Sequence, residues 1–176
     1  FEKLINIYAK KNNNCFGQIT LGLESDLEPE SYKSEFAKQL NLVRKLVDSG
    51  DYTSVTMRDF SQWYRSNFIN LSPTHFIESN DLLMQKNIKV FWYMSPYYRI
   101  GLLFDLNKNN LKIFDFRTYH ANFQEPYFYS PNKEFTLSIY IPSLFDEVNY
   151  DKDVWNIPFG SNLSLERKGE IVELIS

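Results

Sequence analysis

Two short apolar runs on either side of one long amphipathic segment place the strongest constraint on how this chain folds. The runs cover residues 18–24 and 52–57. Between them, apolar side chains recur at spacings of three and four, which predicts a helix over 29–49. Strand, helix and strand in this order make a βαβ unit, and the two strands of such a unit are normally parallel.

Two parallel strands are too few for a stable sheet. Parallel sheets are covered on both faces and contain several βαβ units, whereas the sequence offers only these two candidate strands. We therefore expect the missing strands to lie in an upstream segment of a longer protein or in another chain. The sequence begins at Phe1 rather than a methionine, as expected after processing or for one piece of a larger protein, and the missing strands favour the second explanation.

A helix start signal follows the second apolar run. Thr56 and Asp59 have the spacing of a capping box, in which polar side chains satisfy backbone N–H groups of the first helical turn. This spacing predicts a helix that continues to about Phe68. A shorter amphipathic segment predicts a helix within residues 1–11.

After Pro73 the apolar pattern changes from helical spacing to alternation. The candidate strands cover residues 86–94, 98–106, 111–118, 134–141 and 170–175. The second and third flank the polar turn 107–110, which predicts a hairpin. Several short strands without helices between them are typical of an antiparallel β-sandwich, which we expect over residues 73–176.

Residues 17–26 and 46–60 resemble the closing βαβ unit of NodB-type polysaccharide deacetylases. The first stretch reads Gly-Gln-Ile-Thr-Leu-Gly-Leu-Glu-Ser-Asp, and the second contains Gly-Asp-Tyr followed by Val-Thr-Met. In that family a strand at the active-site face precedes a helix, a Gly-Tyr turn and a strand reading Val-Thr-Leu. The resemblance covers residues 17–64 and implies the terminal βαβα part of a parallel (β/α) barrel over residues 1–72.

The sequence departs from the deacetylase pattern at the turn and at the end of the first strand. The turn has one extra residue, Asp51, and Glu24 stands close to where the family commonly carries a catalytic histidine. The metal-binding Asp and paired histidines of the family have no counterpart in the sequence. A family-57-type glycoside hydrolase barrel is a second resemblance, because its late strands deliver a carboxylate instead of a histidine.

Glu24 and Asp26 are the candidate catalytic residues. Functional side chains of α/β barrels project from the carboxyl ends of strands, and both carboxylates follow the first candidate strand. Two carboxylates there divide acid and base roles if their pKa values differ. The alternative is that both stabilise the start of the next helix through its dipole.

A candidate saccharide-binding site lies in the second half of the chain. Asp115, Arg117 and His120 fall at the end of a candidate strand, and planar polar groups suit sugar hydroxyls, which both donate and accept hydrogen bonds. Tyr127 and Tyr129 lie between two prolines and are expected to form an exposed stacking surface. The alternative is that Asp115 and Arg117, as alternate residues of one strand, form a structural ion pair.

Composition narrows the classes of partner. The net charge is −3, which gives no basic footprint for nucleic acid, and no apolar run approaches the roughly 18 residues that span a membrane.

One cysteine, Cys15, excludes an internal disulfide, and His75 and His120 are too far apart in sequence to predict a metal site. Aromatic residues make up 17% of the chain, which favours strands and stacked ligands. The sequence assigns neither a cofactor nor a compartment.

The predicted function is that of a C-terminal fragment of a carbohydrate-active protein. It resembles a polysaccharide deacetylase-like hydrolase with an accessory β-sandwich, active only as part of a larger protein. Two alternatives stay open: a non-catalytic module that binds glycan or protein, and an obligate subunit that completes its sheet with another chain. The expected partners are a polysaccharide or oligosaccharide and either the upstream segment or another chain.

Overall fold

The computed structural model of the chain divides into two compact units, Phe1–Leu71 and Ser72–Ser176. The residues that the structure describes are 1–10, 14–22, 28–82, 84, 86–119, 133, 143–148, 151–158, 164–168 and 171–175.

The described residues of the first unit form three helices. They are α1 (Glu2–Tyr8), α2 (Pro29–Asp48) and α3 (Met57–Asn67). Proline is compatible with the first turn of α2 because that position needs no N–H donor. Beyond the end of α2, Gly50 has a positive φ of 83°, a conformation that glycine adopts without steric penalty. The predicted helix over 29–49 is confirmed.

The predicted capping signal of α3 is also present. The Thr56 hydroxyl oxygen accepts a hydrogen bond from the Asp59 backbone N–H at 3.1 Å, and the hydroxyl donates to Asp59 Oδ2 at 2.7 Å. Such a cap stabilises a helix by about 1 kcal/mol. A local sequence signal is therefore sufficient to place the start of α3.

The predicted parallel strands are wrong. Residues 18–22 and 52–56 have no regular secondary structure, and residues 23 and 24 lie outside the described ranges. The first run lies against α1 instead, where the Gln18 N–H donates to the Tyr8 carbonyl at 2.8 Å. The preceding Phe16 packs its ring 5.5–5.9 Å from four aromatic rings of α3 and its C-terminal end. Apolar contacts with helices replace a strand ladder, and no parallel barrel is indicated.

The second unit is built around an open antiparallel sheet. Its strands are β1 (His75–Asn80), β2 (Ile88–Met94), β3 (Tyr98–Asp105), β4 (Asn110–Thr118), β5 (Ser143–Asp146) and β6 (Trp155–Pro158). The first five are neighbours in chain order, and β6 also pairs with β4. Two further strands, β7 (Ser164–Lys168) and β8 (Ile171–Ile175), form a separate two-stranded sheet.

The predicted β-sandwich is wrong, although four of its five candidate strands are in place. The candidate strand 170–175 corresponds to β8 of the two-stranded sheet, and three others belong to the large sheet. The candidate strands 86–94, 98–106 and 111–118 correspond to β2, β3 and β4, which pair as consecutive antiparallel neighbours. Short connections keep successive strands within one sheet, whereas a sandwich distributes its strands over two large facing sheets. The candidate strand 134–141 lies outside the described residues.

One face of the six-stranded sheet carries the apolar core. Its buried side chains are Phe76, Phe91, Leu102, Phe104, Leu111 and Ile113. Residues that pair across neighbouring strands share a face, and Phe91 pairs with Leu102, which pairs with Ile113. Burial of each such side chain stabilises the fold by about 1.5–3 kcal/mol. We call the opposite side of this sheet the polar face.

Candidate functional site

A β-bulge in β4 determines which side chains reach the polar face. Gly101 of β3 pairs with Asp115, but the next residue, Leu102, pairs with Ile113, so that Phe114 is an extra residue on β4. A bulge re-aims the side chains that follow it. As a result Ile113 stays on the core face while Asp115 lies on the polar face.

Two rows of residues cross the polar face. The first row runs from β1 to β4 through His75, Met94, Arg99 and Arg117. The second row runs from β2 to β5 through Trp92, Gly101, Asp115 and Asp146. Adjacent strands are roughly 4.8 Å apart. The two arginines of the first row therefore lie next to the two carboxylates of the second.

Asp115 is the centre of a network of ion pairs. Its side chain is 2% exposed. Oδ1 accepts from Arg99 Nε at 2.8 Å, and Oδ2 accepts from Arg99 Nη2 at 2.9 Å and from Arg117 Nε at 2.9 Å. Two oxygens thus engage two nitrogens of one guanidinium, which is the side-on bidentate geometry. The ion pair between Asp115 and Arg117 that strand alternation predicts is present.

Arg117 links Asp115 to a second buried carboxylate. Arg117 Nη2 lies 2.6 Å from Asp146 Oδ1, and the side chain of Asp146 is 3% exposed. The Asp146 backbone N–H donates to Asp153 Oδ2 at 2.9 Å, which fixes the turn after β5. Two arginines and two aspartates balance in charge, so each buried ion has a partner of opposite sign.

The ring of Trp92 lies beside the guanidinium of Arg99, and a second ring packs against Trp92. Arg99 Cζ lies 5.6 Å from the centroid of the Trp92 ring, within the range of a cation–π interaction. The Phe114 ring meets Trp92 edge-on at a centroid distance of 5.0 Å. Both rings lie over Gly101, where an added Cβ would be 2.7 Å from Phe114 Cζ. Only a residue without a side chain lets the two rings approach the backbone this closely.

Arg99 is the most accessible member of the network. Its side chain is 32% exposed, whereas that of Arg117 is 13% exposed. The hydrogen bonds to Asp115 raise the pKa of Arg99 above its ordinary value, burial opposes this change, and Tyr119 is a further hydrogen-bond partner. The group stays charged at every pH that a folded protein meets. We call Trp92, Arg99, Asp115, Arg117, Tyr119 and Asp146 the Arg99 cluster.

The cluster contains two of the residues predicted to bind saccharide. Asp115 and Arg117 are in the cluster. Five others, Glu24, Asp26, His120, Tyr127 and Tyr129, lie outside the described residues, and their roles stay predictions. Sequence reasoning missed Arg99, Trp92 and Asp146. The predicted hairpin already placed the strand of Arg99 beside the strand of Arg117, which was a signal for Arg99. The exact pairing of Arg99 with Arg117 depends on the bulge.

Neither a metal site nor a known relative adds to this picture. Within the described ranges, no group of three or more His, Cys, Asp or Glu side chains is arranged to hold a metal ion. Of the helices in those ranges, none has the length and apolar character needed to cross a membrane. Comparison of the chain with known protein families, with curated proteins and with solved structures finds no match.

Proposed function

We propose that the second unit binds a saccharide on its polar face, at the Arg99 cluster. The observation that carries the proposal is the guanidinium of Arg99, which is clamped by Asp115, stacked near Trp92 and one-third exposed. Sugar hydroxyls accept hydrogen bonds from planar donors, and the carbon-bound face of a sugar ring packs on aromatic rings. The cluster supplies both types of contact on one sheet face.

Preorganisation supports this assignment. A long arginine side chain loses rotamer freedom when it binds a ligand, which weakens binding by about 0.5–1.5 kcal/mol. In the Arg99 cluster that freedom is already lost, because Asp115 engages two nitrogens of the guanidinium in the folded chain. Gly101 and Phe114 hold the Trp92 ring in the same way.

We propose binding without catalysis by this chain. The hydrolase interpretation placed Glu24 and Asp26 on the rim of a parallel barrel, and the fold indicates no such barrel. The non-catalytic alternative needs only a binding surface. His120, Tyr127 and Tyr129, which follow Tyr119 in sequence, remain candidate saccharide-binding residues.

Binding of glycans to the full chain tests the proposal. The chain is applied to an array of neutral and acidic oligosaccharides, and each glycan that binds is titrated by calorimetry. We expect Trp92→Ala to weaken binding by about tenfold or more, because an aromatic contact is lost. Thermal unfolding of the variant, recorded in parallel, shows whether the fold is retained.

Trp155→Ala is the matched control. Trp155 pairs with Ile113 of the core face and is an exposed residue of β6. Its replacement removes an indole from the same sheet and should leave the affinity within about twofold. Failure of every glycan to bind, or equal losses in both variants, would overturn the proposal.

We also propose that another segment or chain covers part of the first unit. Its helices expose large apolar side chains, including Leu40, Met57 and Trp63, and apolar surface of this kind is typical of a contact that another segment covers. The upstream segment or another chain, expected from the sequence, would cover it. Sedimentation equilibrium over a range of protein concentrations tests self-association: a mass of 20.9 kDa, that of one chain, at all concentrations excludes a second copy.

A further inference from the structure

We propose that the saccharide bound at the Arg99 cluster is acidic, and that its carboxylate, as in a uronic acid residue, docks on the end-on edge of the Arg99 guanidinium. This inference rests on the proposed saccharide binding and specifies the chemical class of the ligand. It assigns Arg99 as the residue that selects an anionic saccharide over a neutral one.

The geometry of the pair between Arg99 and Asp115 leaves a defined edge for a second carboxylate. Asp115 engages Nε and Nη2, which form the side edge of the guanidinium. Three N–H groups remain outside this pair, two on Nη1 and one on Nη2, and the hydrogen bond of Arg99 with Tyr119 draws on the same three. One hydrogen of Nη1 and the remaining hydrogen of Nη2 form the end-on edge. Two parallel N–H groups of that edge match the two oxygens of a carboxylate.

The exposure of the charged groups favours an anion over a cation. The carboxylates of Asp115 and Asp146 are 2% and 3% exposed, whereas the side chain of Arg99 is 32% exposed. A ligand that approaches the polar face therefore meets the side chain of Arg99 before the carboxylate oxygens, which are almost fully covered. Asp115 weakens the attraction of Arg99 for a second anion, but the positive end of this ion pair is the edge of the guanidinium away from Asp115.

Trp92 adds specificity for a saccharide over a small anion. The ring adjoins the guanidinium, so a carboxylate attached to a sugar ring brings apolar C–H groups to the indole. A free carboxylate such as acetate gains the ionic contact alone. We therefore expect acetate to compete only at concentrations far above those of an oligouronate.

The experiment compares ligands that differ only in charge. Calorimetric titration of the full chain uses oligogalacturonate and hyaluronan oligosaccharides, each beside its methyl-esterified counterpart. We expect the acid form of at least one pair to bind about tenfold more tightly than its ester, as the loss of a charge-assisted pair predicts. Arg99→Gln should abolish this preference. Lys89→Ala, which breaks an exposed ion pair with Glu78 on the core face, should retain it.

The outcomes separate the inference from the proposed function. If acid and ester bind equally in the unchanged chain, the acidic class is wrong and saccharide binding stands. If none of the glycans binds, both are wrong. The comparison of acid with ester needs no variant, so the inference stays testable if Arg99→Gln does not fold. Arg99→Lys then keeps the charge but not the bidentate edge, and a full preference in that variant would contradict the assigned geometry.

Discussion

Asp115 combines nearly complete burial with a full set of charged partners. Three arginine nitrogens donate to its two oxygens. A buried ion pair contributes little net stability compared with apolar residues, but removing one partner leaves an uncompensated charge. The residue therefore acts as a clamp that holds Arg99 in one orientation.

The first prediction concerns the charge of Asp115. Asp115→Asn keeps the shape of the side chain but leaves Arg99 and Arg117 without their shared anion, so we expect a loss of about 3 kcal/mol in the free energy of unfolding. Urea unfolding measures it. Asp48→Asn, in an exposed pair with Arg44 on α2, is the control and should change stability by less than about 0.5 kcal/mol. Similar losses in both variants would contradict the role of Asp115.

The second prediction concerns the space above Gly101. A Cβ at this position would lie 2.7 Å from Phe114 Cζ and 3.0 Å from Trp92 Cη2. Gly101→Ala should displace the rings and destabilise the fold by about 1–3 kcal/mol. Gly22→Ala is the matched control, because nothing lies within 4 Å of its added Cβ. If both variants unfold at the same urea concentration, the two rings do not pack over Gly101 as described.

The third prediction concerns pH. Burial lowers the pKa of His75 below its ordinary value of 6.5. Protonation then favours the unfolded state, so stability is complete above the unfolded-state pKa and falls as the pH is lowered through the interval below it. Between about pH 7.5 and about pH 5, the urea midpoint should fall further in the unchanged chain than in His75→Gln. An identical fall in both would contradict the burial of this imidazole.

At the scale of elements, local signals were predictable and non-local pairing was not. The Thr56 cap lies within a few residues of the helix that it starts, and the 107–110 turn predicts the pairing of its flanking strands. The bulge was not predictable: from the pair Asp105–Asn110, an unbroken ladder places Arg99 opposite Phe116, whereas the structure places it opposite Arg117.

Non-local strand pairing also explains why the sequence did not predict some members of the candidate site. Asp146 belongs to β5, which is separated from β4 by more than twenty residues and yet pairs with it. No short-range pattern reports such a contact. Asp115 and Arg117 were predictable as a pair because they are alternate residues of one strand.

The fourth prediction compares helices with strands. None of the residues of α3 is buried, and isolated helices of this length are marginally stable in water. β3 is paired along both edges. Amide hydrogens of α3 should therefore exchange at least about a hundredfold faster than those of β3. Equal protection of the two elements would show that α3 is covered by packing, contrary to its exposure in this structure.

At the scale of the whole molecule, the apolar runs serve two different purposes. In the first unit residues 18–22 and 52–56 form no strand, the first run bonds to the end of α1 through Gln18, and the preceding Phe16 packs on α3. In the second unit alternation produces an open sheet with an apolar and a polar face. The predicted barrel needed parallel partners for the first runs, and the predicted function depended on that barrel.

The central claim is that the Arg99 cluster is a saccharide-binding site. Nuclear magnetic resonance tests it most directly, by following the indole N–H signals of the three tryptophans and the Nε–H signal of Arg99 during titration with oligogalacturonate. We predict saturable shifts for Trp92 and Arg99, with the signals of Trp63 and Trp155 unchanged. Saturable shifts confined to Trp63 or Trp155, or no shifts with any glycan that binds the chain, would contradict the claim.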